Sequence, residues 1–240
     1  MTDQHGTLAL VGAGEFLDDM RQVDAALLGQ SGGKRVVILP TASAPDGPGV
    51  PERWAAMGVA HFAALGAQAE AVMALDRAAC TSPDNADAVR RANLVYMSGG
   101  KPDYLLAALT GTRLWHAVLD VLTGGGVIAG CSAGAMILGG WIPGRPAGRL
   151  SIWQPAFGLL PGCVVVPHFD EIPTWITTPL RWVRPRRSTW IGIDGGTALV
   201  GRPGAGETWE VRGAGRVVVS GGGQKDSYRA GSRLDLAVRR

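Results

Sequence analysis

The amino-acid sequence predicts an α/β protein with a mostly parallel sheet wrapped by helices. Three observations carry this. Short apolar runs alternate along the chain with segments of helical spacing. Runs such as Arg35-Val-Val-Ile-Leu39 are continuous and β-branched, as in strands buried on both faces. Glycine-rich loops stand directly after strands: Gly12-Ala13-Gly14-Glu15, Ser98-Gly99-Gly100-Lys101 and Gly130-Cys131-Ser132-Ala133-Gly134. Ligand sites of open parallel sheets lie beyond the carboxyl ends of the strands, so these loops are the first places to look for chemistry.

The elements follow in order. Thr7 to Val11 is an apolar strand, and Glu15 to Leu28 has helical spacing through Phe16, Leu17, Met20, Val23, Leu27 and Leu28. Arg35 to Leu39 is the second strand, with a loop from Pro40 to Pro45 at its end. Glu52 to Leu65 is a helix closed by Gly66, and Ala69 to Ala74 a third strand. Asn85 to Arg91 is a short helix before the strand Leu94 to Met97. Helices over Pro102 to Leu109 and Arg113 to Leu122 precede a fifth strand, Val127 to Gly130, and a helix starts over Ala133 to Leu138. Further strands are expected at 164–166, 190–193, 198–200, 209–211 and 217–219. Right-handed crossovers join such parallel strands. With no linker, repeat or low-complexity segment, residues 1–240 read as a single domain, with a core at 7–200 and a β-rich C-terminal extension at 201–240.

Composition narrows the function classes. Apolar residues make up 46% of the 240, enough for a sizeable core. The 36 glycines are about twice the usual share of roughly 7%, which points to tight turns and close backbone approaches. The net charge is only +3 and the basic residues are dispersed, which argues against a nucleic-acid partner. Val121 to Gly144 carries no charge, yet it holds eight glycines, Thr123, Ser132 and Pro143. It divides into strand, turn and helix, so no membrane association is expected. Three cysteines (Cys80, Cys131, Cys163) form no metal-like spacing, and the first residues show no signal-peptide pattern. A reducing, cytoplasmic setting without metal is the expectation.

The strongest chemical signal is Gly130-Cys131-Ser132-Ala133-Gly134, between an apolar strand and an apolar helix. This is the G-x-S-x-G pattern of a nucleophile held on a sharp strand-to-helix turn, with the following amide, on Ala133, at a helix N-terminus where it can stabilise an oxyanion. A plain turn with Ser132 as helix N-cap is the competing reading. Cys131 lies one position before the centre of the turn and reads as a small buried hydrophobe. Of the four histidines, His5 is terminal, and His61 and His116 fall in helical segments. His168 follows the Val164-Val165-Val166 strand and comes after the serine, the order of α/β hydrolytic sites, so it is the candidate base. The Gly99-Gly100 turn can aim amides at a developing negative charge. Gly12-Ala13-Gly14 lacks the third glycine of a dinucleotide fingerprint, Leu17 standing in its place.

Taken together, these residues resemble the serine peptidase family of aspartyl dipeptidase (dipeptidase E) and cyanophycinase. The resemblance runs from about Leu8 to Val200, through Val11-Gly-Ala-Gly-Glu15, Pro40-Thr-Ala-Ser43, Leu65-Gly-Ala67, Tyr96-Met-Ser-Gly-Gly100, Gly126 to Ala135, Gly158-Leu-Leu-Pro-Gly162, His168-Phe169, Ile191-Gly-Ile-Asp194 and Thr197-Ala-Leu199. It implies a three-layer sandwich like the class I glutamine amidotransferase domain, with a flavodoxin-like sheet and helices on both faces. It also implies Ser132 as nucleophile, His168 as base, and Gly100 and Ala133 as the oxyanion hole, without cofactor. The expected reaction is hydrolysis of an amide in a small peptide or isopeptide through an acyl-enzyme, and a homodimer is compatible with the family.

Three departures stand out. Lys101-Pro102 follows the paired glycines where the family usually carries Gln or Asn. The usual third triad residue, a Glu, matches Gly195, which leaves Asp194 and Glu171 (with Asp170 beside it) as candidate substitutes. The arginines that cyanophycinases place just after the His-Phe pair come later here, as Arg181, Arg184, Arg186 and Arg187 among Trp175, Trp182 and Trp190. Lys101, Arg181 and Arg184 are candidate contacts for an acidic substrate, since guanidinium pairs bidentately with carboxylate, although a solvated basic surface fits the arginines equally. A catalytically impaired relative that binds a small ligand at the same cleft is the alternative function.

Overall fold

The structure is a computed structural model that describes residues 6–144, 152–172, 185, 187–204, 206 and 208–236. Five parallel strands form its centre: β1 (Thr7–Val11), β2 (Arg35–Leu39), β3 (Gln68–Ala71), β4 (Leu94–Met97) and β5 (Val127–Cys131). Their spatial order is β3-β2-β4-β5-β1. This is the flavodoxin order with its last place filled by the first strand of the chain. Three antiparallel strands, β10 (Thr197–Gly201), β11 (Thr208–Gly213) and β14 (Arg233–Asp235), extend the sheet beyond β1 to eight strands. The register sets Val11 against Cys131, Met97 against Gly130 and Leu39 against Met97, so all three glycine loops leave one edge of the sheet.

Alternation along each strand builds two cores. Leu8, Leu10, Val37, Leu39, Val95, Met97 and Ile128 face one side, packed with residues of α3 (Arg77–Thr81), α4 (Pro83–Arg90), α5 (Pro102–Leu109), α6 (Arg113–Thr123) and α7 (Ala133–Leu138). Ala9, Val11, Val36, Ile38, Leu94, Tyr96 and Ala129 face the other, under α1 (Arg21–Gln30) and α2 (Val50–Ala64). Helices therefore cover both faces in three layers. The charge-free stretch after Val121 resolves into the end of α6, β5 and α7, and no single helix among the described residues is long and apolar enough to cross a membrane.

Two expectations need correction. The helix expected from Glu15 begins only at Arg21, after a 3-10 turn at Asp18–Met20. Phe16 has φ +65° and Leu17 is extended, so the chain cannot wind until it has passed them. The third strand ends at Ala71 rather than Ala74: Ile38–Ala71 is its last pair with β2, and the Val72 N–H makes the final bond, to the Ile38 carbonyl at 3.0 Å.

A second sheet carries the later part of the chain in the order β13-β12-β9-β8, from β8 (Cys163–Val166), β9 (Thr189–Ile193), β12 (Arg216–Gly221) and β13 (Gln224–Arg229). A two-stranded ribbon joins β6 (Trp141–Pro143) to β7 (Trp153–Pro155). The end of β9 abuts the end of β1: a Cβ on Gly12 would lie 2.2 Å from the Asp194 carbonyl oxygen, so only glycine permits this approach. That contact brings the residues just after β8 to the edge of the main sheet from which the glycine loops leave.

Candidate active site

The turn after β5 has the geometry that its glycines allow. Ser132 sits at φ +49°, ψ −109°, a conformation costing a non-glycine residue about 1–3 kcal/mol. A Cβ on Gly130 would lie 2.5 Å from the Gly134 backbone, and one on Gly134 would lie 2.5 Å from the Met97 carbonyl oxygen. The serine makes no side-chain cap to α7, so the plain N-cap reading fails. Its hydroxyl Oγ instead lies 3.2 Å from His168 Nε2. Ser132 is half-buried and so remains accessible from solvent.

His168 follows β8 by two residues and also has positive φ, +51°. Its neighbour anchors it: the Phe169 N–H donates to the Ile193 carbonyl at 3.0 Å, and the Phe169 ring packs where a Cβ on Gly192 would come within 2.5 Å. The Glu171 N–H closes a turn onto the His168 carbonyl at 3.0 Å. This turn places Glu171 Oε2 at 3.3 Å from His168 Nδ1. The partners define the tautomer, with Nδ1–H toward the carboxylate and Nε2 free to accept from the serine. The pair is open to water, with side-chain exposures of 40% for His168 and 69% for Glu171.

The other candidate carboxylate is engaged elsewhere. Asp194 Oδ2 accepts from the Arg216 N–H at 3.2 Å and lies 3.3 Å from Arg216 Nε. Burial pushes its carboxyl above the usual range, against the opposing pull of Arg216. Asp170 Oδ1 accepts from the Gly195 N–H at 2.8 Å. A Cβ at Gly195 would meet nothing nearer than Asp170 Oδ2 at 3.7 Å, so the position lacks a carboxylate by sequence and not for want of space.

The Gly99-Gly100 loop packs beside the serine, with a Cβ on Gly99 falling 3.3 Å from Ser132 Cβ. The Lys101 N–H donates to the Ala42 carbonyl at 2.8 Å. Ala133 opens α7, where the first amides have no partner within the helix. The exposed Lys101 ammonium lies 3.4 Å from Asp46 Oδ1. Arg181, Arg184, Arg186, Trp175 and Trp182 lie outside the described residues.

Glu15 was not singled out from the sequence. It is buried, and its Oε1 accepts from the Gly99 N–H while its Oε2 accepts from the Cys131 thiol, both at 2.8 Å. The available signal was a charged residue directly after a buried strand and a glycine turn. Burial, aided by the Glu15 charge, holds the Cys131 thiol well above its usual range, consistent with an inert side chain. His61 pairs with Asp24 at 2.9 Å inside the α1/α2 layer, away from the serine. Among the described residues, no group of three or more His, Cys, Asp or Glu side chains could hold a metal ion.

Comparison with known proteins identifies the fold and the family. A crystal structure of a peptidase from an acI-B1 actinobacterium is 33% identical, covers 97% of both chains and superposes with a TM-score of 0.86. A crystal structure of a putative peptidase E protein from Listeria monocytogenes EGD-e is 18% identical over 94% of this chain and 98% of its own, with a TM-score of 0.61, and shares the fold. No curated protein matches the chain. The model of peptidase family S51 matches residues 8–205, so the chain belongs to that family of serine peptidases, the family of dipeptidase E and cyanophycinase.

Proposed function

We propose that this protein is a serine hydrolase that cleaves an amide bond in a small peptide or isopeptide through an acyl-enzyme on Ser132. The observation that carries the proposal is the 3.2 Å approach of His168 Nε2 to a hydroxyl held at positive φ on the turn after β5. In this reading His168 takes the Ser132 proton as Oγ attacks the carbonyl. The amides of Gly100 and Ala133 receive the developing oxyanion. His168 then returns the proton to the leaving amine, and water, deprotonated by the same imidazole, releases the acid. Glu171 is the group that stabilises the imidazolium through Nδ1. Lys101 is assigned to a carboxylate on the substrate, which would take the place of Asp46 beside its ammonium, and Arg181 and Arg184 are assigned to the same acidic preference. The setting proposed is the cytoplasm, where the three thiols stay reduced.

One observation favours a second reading, an impaired relative that binds a ligand at the same cleft: the carboxylate beside His168 is exposed and the family's usual position for it is Gly195. Labelling with a fluorophosphonate, together with a panel of dipeptides including Asp-X and β-aspartyl substrates, separates the two. The hydrolase is labelled at Ser132 and turns over part of the panel, and Ser132→Ala loses about 10⁶-fold in kcat with its circular dichroism unchanged. Equal turnover by Ser132→Ala and the parent, or a parent that is neither labelled nor active, overturns the proposal.

A further inference from the structure

The amides of the Ser98-Gly99-Gly100-Lys101 loop are not equivalent. The Gly99 N–H is taken by Glu15 Oε1 and the Lys101 N–H by the Ala42 carbonyl. Between them, the Gly100 N–H has no acceptor among the described residues. Gly100 itself has φ +142°, and a Cβ there would lie against the Ala42 oxygen, so the loop is packed against the turn that follows β2. An unengaged amide fixed between two anchored ones is a donor whose direction is set before a ligand arrives. The β4 side of that arrangement depends on one side chain, Glu15.

Glu15 is unusual in its own right. It is 6% exposed and reaches from the end of β1 to the end of β4 and to the thiol preceding the serine on β5. Gly99 is sandwiched between Glu15 and Ser132, since a Cβ there would sit 2.9 Å from Glu15 Oε1 and 3.3 Å from Ser132 Cβ. The residue after Glu15 holds it in place at a cost. Phe16 has φ +65°, a strained value for a bulky side chain, and its ring packs 4.8 Å from the Tyr96 ring and 6.3 Å from the Phe62 ring. With Ser132 and His168, Phe16 is among the few described non-glycine residues at positive φ.

We infer that Glu15 is a positioning residue of the hydrolytic site: its carboxylate fixes the Gly99 peptide so that the Gly100 amide faces the carbonyl attacked by Ser132. The inference rests on the serine hydrolase reading. Glu15 touches no reacting atom and acts through Gly99. Binding of the uncharged substrate amide needs little from this donor, whereas the oxyanion needs it fully, so its loss falls on kcat and leaves KM nearly unchanged.

The test compares Glu15→Gln, which keeps an acceptor at the same reach, with Glu15→Leu, which fills the space without one. Two readouts are taken on the full chain: the rate of fluorophosphonate labelling at Ser132, and hydrogen–deuterium exchange of the peptide covering residues 98–101. Glu15→Leu is expected to label about 100-fold more slowly, the scale of losing one oxyanion donor, and to exchange faster at that loop. Glu15→Gln is expected to stay within about fivefold of the parent on both readouts, which corresponds to about 1 kcal/mol. Parental labelling by Glu15→Leu, or an equal loss in both variants, overturns the assignment. A parent that is neither labelled nor active defeats the hydrolase reading instead, and wherever labelling is absent loop exchange decides for Glu15: exchange in Glu15→Leu equal to the parent's removes it.

Discussion

At the scale of single residues, the Ser132–His168 pair is assembled from strained backbone and backed by an exposed acid. Ser132 and His168 both hold positive φ, and the neighbouring glycines supply the space that makes this affordable. The acid behind His168 differs from a buried triad carboxylate. An exposed ion pair is worth about 0.2–1 kcal/mol, so Glu171→Gln is expected to lower kcat by no more than about fivefold. A buried orienting carboxylate is worth on the order of 10⁴. Steady-state rates on the best peptide of the panel check this, and a loss near the larger figure would mean that Glu171 is desolvated once substrate is bound. His168 was legible as the partner of Ser132 because it follows a strand and comes after the serine. Glu171 was legible only as one of two acids, and the choice between them waited on Arg216, whose contact with Asp194 comes from a strand 22 residues away.

At the scale of elements, the site is a joint between two sheets. Ser132 and the Gly99-Gly100 loop leave the main sheet from β5 and β4, and His168 leaves the second sheet from β8. Phe169 fastens that joint against Gly192 and Ile193. Phe169→Ala is expected to cost about 1–2 kcal/mol of stability, less than the 3–5 of a fully buried Phe, because the residue is only half-buried. It is also expected to reduce kcat more than KM, since His168 then samples orientations away from the serine. Urea denaturation and steady-state kinetics measure the two effects, and a stability loss with unchanged kcat would detach Phe169 from the joint. Apolar periodicity reveals the strands of both sheets, except where a strand is short or exposed. The Gln-Lys-Asp-Ser-Tyr-Arg strand β13 is polar and mostly exposed, and it is defined by its hairpin through Gly222 and Gly223, at φ +59° and +90°, rather than by hydrophobicity.

At the scale of the whole molecule, the layer of α1 and α2 contains a buried carboxyl, Asp24, hydrogen-bonded to His61, that links stability to pH. Burial raises the carboxyl of Asp24 above its ordinary value, while the hydrogen bond and charge of His61 pull it down and the Glu15 charge adds to the rise. A carboxyl raised in the folded state costs stability above its folded pKa, and the cost is relieved as pH falls through that value toward the unfolded one. Asp24→Asn is therefore expected to gain most on the parent at neutral pH, with the gain shrinking on acidification toward about pH 4. Urea unfolding of both proteins at several pH values checks the sign, and a gain that grows in acid would contradict it.

The sequence by itself determined the five parallel strands of the main sheet, the loop that presents Ser132 and the histidine to be paired with it, because hydrophobic period, glycine placement and chain order are local properties. Only the tertiary structure decided which acid stands behind His168, and that Glu15 closes onto Gly99 84 residues away in the chain. The physical reason is reach. A strand or a tight turn is dictated by its own residues, whereas the partner of a buried or catalytic polar group is whatever the packing of separate elements brings within about 3 Å.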